Sequence, residues 1–302
     1  MNSLRKWALG SAALVAFASL GASTWAQDQA PPMTVVKIKN NVYWAHDPNF
    51  GQGTGSNNGF IIGKKGVILV DTKTTLAAEK VVIAEIAKVT PLTVNTIFIT
   101  HSDGDHVNGL AAFPDGVTIV AQENCKKEMM ESVSSRNPAP QNRLPTRTYD
   151  KTDKMTVDGI HVRLYHWGPG HTSGDTVVYF PDQKIVFGGD LLISNRPEIF
   201  IHPAKGGTVA GWIENAKGIL TLKADTYLTG HGEKMTREDV QKKLDQTVDK
   251  YNKVKDMVAQ GKSLDDIKKS FGEPLVTTGR GEGGAPAATL TEEMYTEMTK
   301  KS

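Results

Sequence analysis

The sequence predicts an α/β fold in which two β-sheets pack face to face and carry helices on their outer sides. Two observations lead there. Each half of the 302-residue chain contributes strand-like segments and helical stretches in the same general order, and short polar motifs recur beside glycine at the ends of those strands. Sheets stacked in this way, with helices outside, give every apolar face a partner.

From Val35 to Thr72, segments such as "TVVKI", "NVYWAH", "GFIIG" and "GVILVDT" are β-branched or aromatic and are punctuated by Gly and Asn, as strands are. "TTLAAEKVVIAEIAKV" then reads as a helix with Leu76, Ile83 and Ala87 on its apolar face and Glu79, Lys80, Glu85 and Lys88 on its polar one. "NTIFIT" is a buried strand that delivers His101 at its carboxyl end, and "QENCKKEMMES" is a helix. Residues 155–192 return to strands, a helical stretch around 207–222 follows, and "TYLTGHG" is another strand and turn. After Gly232, Thr236 with Asp239 and Ser263 with Asp266 have the spacing of helix N-terminal caps. Val240, Leu244, Val248, Tyr251 and Val258 form an apolar stripe suited to docking on the main body or on a second subunit. "TTGRGEGGAPAA" reads as a linker before a last short helix. The expected division is residues 1–26, 27–235 and a helical extension over 236–302.

The first of these segments carries Arg5 and Lys6, an uncharged apolar run and then small Ala26 before a polar stretch. That is the pattern of a secretory signal peptide cleaved after Ala26, so a periplasmic or secreted location is expected. The run is short for an uncleaved membrane anchor. Removing it takes away two of 35 basic residues and none of the 33 acidic ones, which leaves a formally neutral chain. Nothing in that balance suggests a nucleic-acid or membrane-binding surface, and the expected partner is a small-molecule substrate. Cys125 is the only cysteine, which excludes an intrachain disulfide and a thiolate zinc cluster.

The chemistry concentrates in "THSDGDHVNG", where His101, Asp103, Asp105 and His106 fall within six residues. In a strand-to-helix turn, His101 and Asp103 can converge on one ion while Asp105 and His106 reach another. Three further strings place a ligand-type residue beside glycine at a strand end: His171 in "GPGHTSGD", Asp190 in "FGGDLL" and His231 in "LTGHGE". Glycine there lets the chain turn sharply and a ligand approach closely.

In order and spacing, these strings resemble the five motifs of the metallo-β-lactamase superfamily, beginning with Asp71 in "LVDT" and covering about residues 35–235. The resemblance implies an αββα sandwich of two mixed β-sheets flanked by helices, with two divalent metal ions, zinc foremost, along one edge. It implies that His101, Asp103 and His171 hold the first ion, that Asp105, His106 and His231 hold the second, that Asp190 bridges them, and that Asp71 steadies the loop. It also implies an exported hydrolase in which a metal-bound hydroxide cleaves an ester, thioester, lactone or lactam bond, with Asp105 steering its proton. An iron-dependent oxidoreductase of the same fold, with one or two iron atoms, and a non-catalytic metal-binding protein are the alternatives.

Asp103 stands where that family's string reads histidine. Two dications, three carboxylates and one hydroxide sum to zero charge, against plus one with histidine at 103. A less acidic bound water and a greater tolerance of iron or manganese are therefore expected. Asp190 as the bridge, and Ile193 where some lactamases carry a substrate-gripping lysine, lean away from an antibiotic-hydrolysing role. There is no G-x-S-x-G string to advertise a serine nucleophile. The glycine-rich stretch 48–59 suits either a flap or a plain hairpin connection. The loop with Arg136, Arg143 and Arg147 is read as surface, and His46, His166 and His202 as rim histidines with hydrogen-bonding roles.

Overall fold

The computed structural model describes residues 33–46, 55–135, 138–276 and 288–300. The expected signal segment, residues 48–54 of the glycine-rich stretch, Arg136 and most of the expected linker lie outside the described residues.

The first sheet has seven strands in chain order: β1 (Thr34–Lys39), β2 (Val42–His46), β3 (Asn58–Ile62), β4 (Val67–Val70), β5 (Val94–Phe98), β6 (Thr118–Gln122) and β7 (Arg147–Tyr149). It is antiparallel from β1 to β4 and parallel from β4 to β7. Helix α1 (Leu76–Val89) crosses from β4 to β5, α2 (Gly104–Val107) follows β5, and α3 (Glu123–Glu131) follows β6. The second sheet runs β12 (Thr226–Leu228), β11 (Ile185–Phe187), β10 (Val177–Phe180), β9 (Ile160–Tyr165) and β8 (Thr152–Val157), parallel only between β11 and β12. Helices α4 (Val209–Thr221), α5 (Arg237–Ala259), α6 (Leu264–Ser270) and α7 (Leu290–Thr299) complete the chain.

Strand alternation explains the layering. Successive side chains point to opposite faces of a sheet. Thus Phe98, Ile61, Val178 and Phe180 meet between the sheets, while Ile97 and Phe60 face α1 and α3, and Val177 and Tyr179 face the later helices. The result is three hydrophobic layers, helix on sheet, sheet on sheet and sheet on helix, which is the αββα sandwich expected. No helix among the described residues is long and apolar enough to cross a membrane.

Both expected caps form as reciprocal boxes, Thr236 with Asp239 at α5 and Ser263 with Asp266 at α6. The α5 stripe docks on its own body. Val240, Leu244 and Val254 share a core with Trp212 of α4, Ile267 of α6 and Met294 of α7, and Val248, Tyr251 and Val258 pack against it.

The face expected for α1 is a correction. Leu76 is 43% exposed, whereas the buried residues are Ala78, Glu79, Val82 and Ile86. The helix turns this way because the buried Lys73 backbone N–H needs an acceptor and donates to Glu79 Oε2 at 2.7 Å. The Arg-bearing loop is also more committed than its composition suggested. Arg143 donates to Phe113 O and Asp115, and Arg147 begins β7 and pairs with Asp153.

Burial pushes the Glu79 carboxyl up to about 7, although the Lys73 N–H and ammonium oppose the shift. Between the ordinary carboxyl value and that one, the folded state holds a proton that the unfolded state has released. Stability therefore falls as pH rises through this window. In urea unfolding at pH 5 and pH 7, the wild type is expected to lose more stability on that step than Glu79→Gln, and equal losses would contradict the assignment.

Candidate metal centre

The polar cluster lies where parallel strands end. Asp71 follows β4, His101 follows β5 by three residues, Asp190 sits in the 3-10 turn Gly189–Leu191 after β11, and His231 comes three residues after β12. His171 enters from the loop between β9 and β10. Carboxyl ends of strands leave side chains free to converge on a ligand in the crevice outside the sheet. Asp103 precedes α2, which carries Asp105 and His106. Gly230 is required by proximity, since a Cβ there would stand 2.0 Å from Asp190 Oδ1.

Hydrogen bonds behind the cluster set which face each imidazole presents. Asp71, 2% exposed and at a left-handed φ of 59°, accepts the Thr100 backbone N–H at 2.7 Å on Oδ1. On Oδ2 it accepts the Thr100 hydroxyl at 2.6 Å and meets His106 Nδ1 at 2.9 Å. With its proton given to Asp71, the Thr100 oxygen is an acceptor for His101 Nδ1 at 3.1 Å. His171 Nδ1 donates to the Phe200 carbonyl at 3.0 Å. In all three rings this assignment puts the proton on Nδ1 and turns the Nε2 lone pair inward, as a metal-binding histidine requires.

The seven expected residues come together. His101, Asp103 and His171 each offer an atom within 4.8 Å of the others, and so do Asp105, His106 and His231. Asp190 lies between, with Oδ1 3.3 Å from His106 Nε2 and Oδ2 3.4 Å from His231 Nε2 and 3.9 Å from His171 Nε2. His101 Nε2, His106 Nε2 and Asp190 Oδ1 are buried with no hydrogen-bond partner. Orphaned polar atoms in a native interior ask for an explanation, and a cation between them is the one their chemistry fits. Nitrogen and carboxylate oxygen donors of this kind suit zinc, manganese or iron. Cys125 takes no part: it is fully buried on the inner face of α3, and burial pushes its thiol well up.

The electrostatics agree with that fit. Burial, joined by the neighbouring His106, lowers His101 to about 4 even though Asp103 opposes the shift. Burial opposes a charge on His171 too, yet Asp103, Asp190 and Asp175 outweigh it and raise the group to about 9. Asp190 is also disfavoured as an anion by burial, but His231, His106 and His171 hold it far below the usual carboxylate range. Such a pocket attracts positive charge, and dications would displace the ring protons on binding.

Asp103 has company that sequence reasoning missed. Its Oδ2 is 3.0 Å from His171 Nε2, but its Oδ1 takes the Lys205 ammonium at 2.6 Å and faces His202 Nδ1 at 3.1 Å. The sequence marks His202 only as a rim histidine and gives no signal for Lys205, because "HPAKGG" matches no ligand pattern.

Other candidates are placed elsewhere. His46 stacks on Trp44 at 4.3 Å, and His166 Nδ1 meets the Asp175 carbonyl at 2.8 Å. Beside His166, Tyr165 and Trp167 stack at 4.9 Å as part of the packing, with Trp167 on Gly218 of α4. The described end of the glycine-rich stretch is fixed. Ser56 donates to the Asp105 carbonyl, and Asn57 donates its backbone N–H to Gly230 O and its side-chain amide to Thr229 O and Gly232 O.

Comparison with known proteins agrees with the fold. The protein-family model for the metallo-beta-lactamase superfamily matches residues 51–231. The chain is 29% identical over 212 residues to the 2,4-dinitroanisole O-demethylase subunit alpha of Nocardioides sp., covering 69% of this chain and 60% of that one. It is 27% identical over 191 residues to a metallo-beta-lactamase type 2 of Elizabethkingia meningoseptica, covering 63% and 72%. Among solved structures, a metallo-beta-lactamase from Pontibacter korlensis superposes with a TM-score of 0.62 at 22% identity, over 72% of this chain and 99% of that one.

Asp71→Asn tests the supporting layer, since asparagine tolerates the left-handed backbone but loses one acceptor oxygen. Zinc affinity measured against a chromophoric chelator is expected to fall roughly 10- to 100-fold with the fold intact. Unchanged affinity would show that Asp71 does not orient the ring of His106.

Proposed function

This chain belongs to the metallo-beta-lactamase superfamily, and from that premise we propose that it is an exported hydrolase that uses two divalent cations to cleave an ester, thioester, lactone or lactam bond in a small molecule. Membership supports metal-dependent hydrolysis, and the bond and the location are the finer part of the proposal. The observation that carries it is the convergence of inward-turned imidazoles and carboxylates around buried atoms that have no other partner.

Divalent cations at these seven residues would supply Lewis acidity towards the scissile carbonyl and activate a water molecule. The chain's own groups divide the remaining work. His101, Asp103 and His171 would hold one cation, Asp105, His106 and His231 the other, and Asp190 would face both. Asp105 has 30% of its side chain exposed, against 6% for Asp190. It is thus the carboxylate best placed to exchange a proton with solvent and substrate, and its Oδ2 lies 3.1 Å from His231 Nε2. Leu192 and Ile193, both buried, follow Asp190 and offer no cation for a substrate carboxylate at that point.

The relatives widen the range worth testing, because one is named for opening lactams and another for demethylating 2,4-dinitroanisole. Export is supported by the charged, apolar and small-residue order of residues 1–26, and protein recovered from a periplasmic fraction should then begin at Gln27.

A panel of aryl esters, thioesters, lactones, a chromogenic cephalosporin and 2,4-dinitroanisole would be assayed with and without EDTA, together with elemental analysis. Turnover of at least one class, abolished by EDTA and restored by Zn2+, Mn2+ or Fe2+, is expected. Asp105→Asn should lower kcat by about 100-fold or more. A protein that bound cations but turned over no member of the panel would favour the binding-protein reading instead.

A further inference from the structure

The contact that no motif announces is the one between Asp103 and Lys205. Lys205 closes a short turn, Pro203–Lys205, whose backbone is tied to the loop that carries His171. His202 donates its N–H to His171 O, Lys205 O accepts from Ser173 N–H, and Thr208 donates to Gly170 O, at 2.8, 2.8 and 2.9 Å. Gly207 makes this fit possible, because a Cβ there would lie 2.0 Å from His171 O. The ammonium is then pinned twice, donating to Ser102 O at 3.0 Å and to Asp103 Oδ1 at 2.6 Å. Only a quarter of the Lys205 side chain and an eighth of the Asp103 side chain reach solvent. Two charges so shielded interact more strongly than a surface pair.

The carboxylate of Asp103 is thereby split in use. Lys205 binds Oδ1 alone and His202 Nδ1 lies between the two oxygens, 3.1 Å from Oδ1 and 3.3 Å from Oδ2, while Oδ2 is the oxygen that faces the cluster, 3.0 Å from His171 Nε2 and 3.7 Å from His101 Nε2. We propose that Lys205 is a positioning residue and a built-in counter-cation, which makes Asp103 act towards a cation as a one-oxygen donor of no net charge, electrically equivalent to an imidazole. The zero charge counted for the cluster from its ligands alone becomes plus one when the ammonium is included. An aspartate at this place therefore does not make the site more anionic, and the lysine that offsets it arrives from a hundred residues away.

This inference rests on the reading of the cluster as a divalent-cation site. It is tested on the full chain loaded with Co2+, as wild type, Lys205→Met, Lys205→Arg, Asp103→His and the double variant Asp103→His with Lys205→Met. The readouts are the number of Co2+ ions bound, their affinities by chelator competition and the visible d–d spectrum. Lys205→Met removes the ammonium and leaves Oδ1 with His202 Nδ1 alone; it is expected to alter the spectrum and tighten the weaker Co2+, while Lys205→Arg keeps the wild-type spectrum. Asp103→His leaves the ammonium unpaired beside a cation and is expected to weaken one Co2+ at least about tenfold. Adding Lys205→Met should recover most of that loss. A Lys205→Met spectrum and affinity identical to wild type, or effects that simply add in the double variant, would overturn the coupling and leave the cation-site reading standing. Wild type that bound no Co2+ would overturn both.

Discussion

The arrangement at the sheet edge depends on one buried carboxylate. Asp71 binds the backbone and hydroxyl of Thr100 and the Nδ1 of His106, and so joins the end of β4 to the end of β5 and to α2. Because the Thr100 hydroxyl is thereby committed as a donor, the ring of His101 is oriented as well. A single side chain therefore fixes two of the imidazoles through three hydrogen bonds, at a backbone angle that only a short polar residue or glycine tolerates easily.

The core and the cluster were legible for different reasons. A continuous apolar run is a local property, so "NTIFIT" announced a buried strand directly. The seven ligand-type residues were legible because each stands beside glycine or in a tight turn, where such side chains have few purely structural uses. Glu79 was not legible, since its burial answers a backbone donor at Lys73 that no helical pattern registers. The strands β6 and β7 escaped for a related reason. They are short, fully dependent on their parallel neighbours, and β7 adjoins a proline-bearing loop.

Lys205 and His202 mark the limit of pattern reading. Their role comes from one loop wrapped on another, fixed by backbone hydrogen bonds to residues 170–173, and no spacing within 202–208 encodes it. The consequence reaches back to the motif itself. A charge count made from adjacent residues treats Asp103 as a change in the cluster's electrostatics, whereas the folded chain presents an aspartate and its compensating lysine as one unit.

Each half of the cluster also draws on both halves of the molecule. His101 and Asp103 leave the first sheet to meet His171 from the second, and Asp105 and His106 do the same with His231. A cation held there would be a rivet through the seam of the sandwich. Its full set of donors could not assemble until the two layers had closed on each other, so complete capture of the ion would report finished assembly.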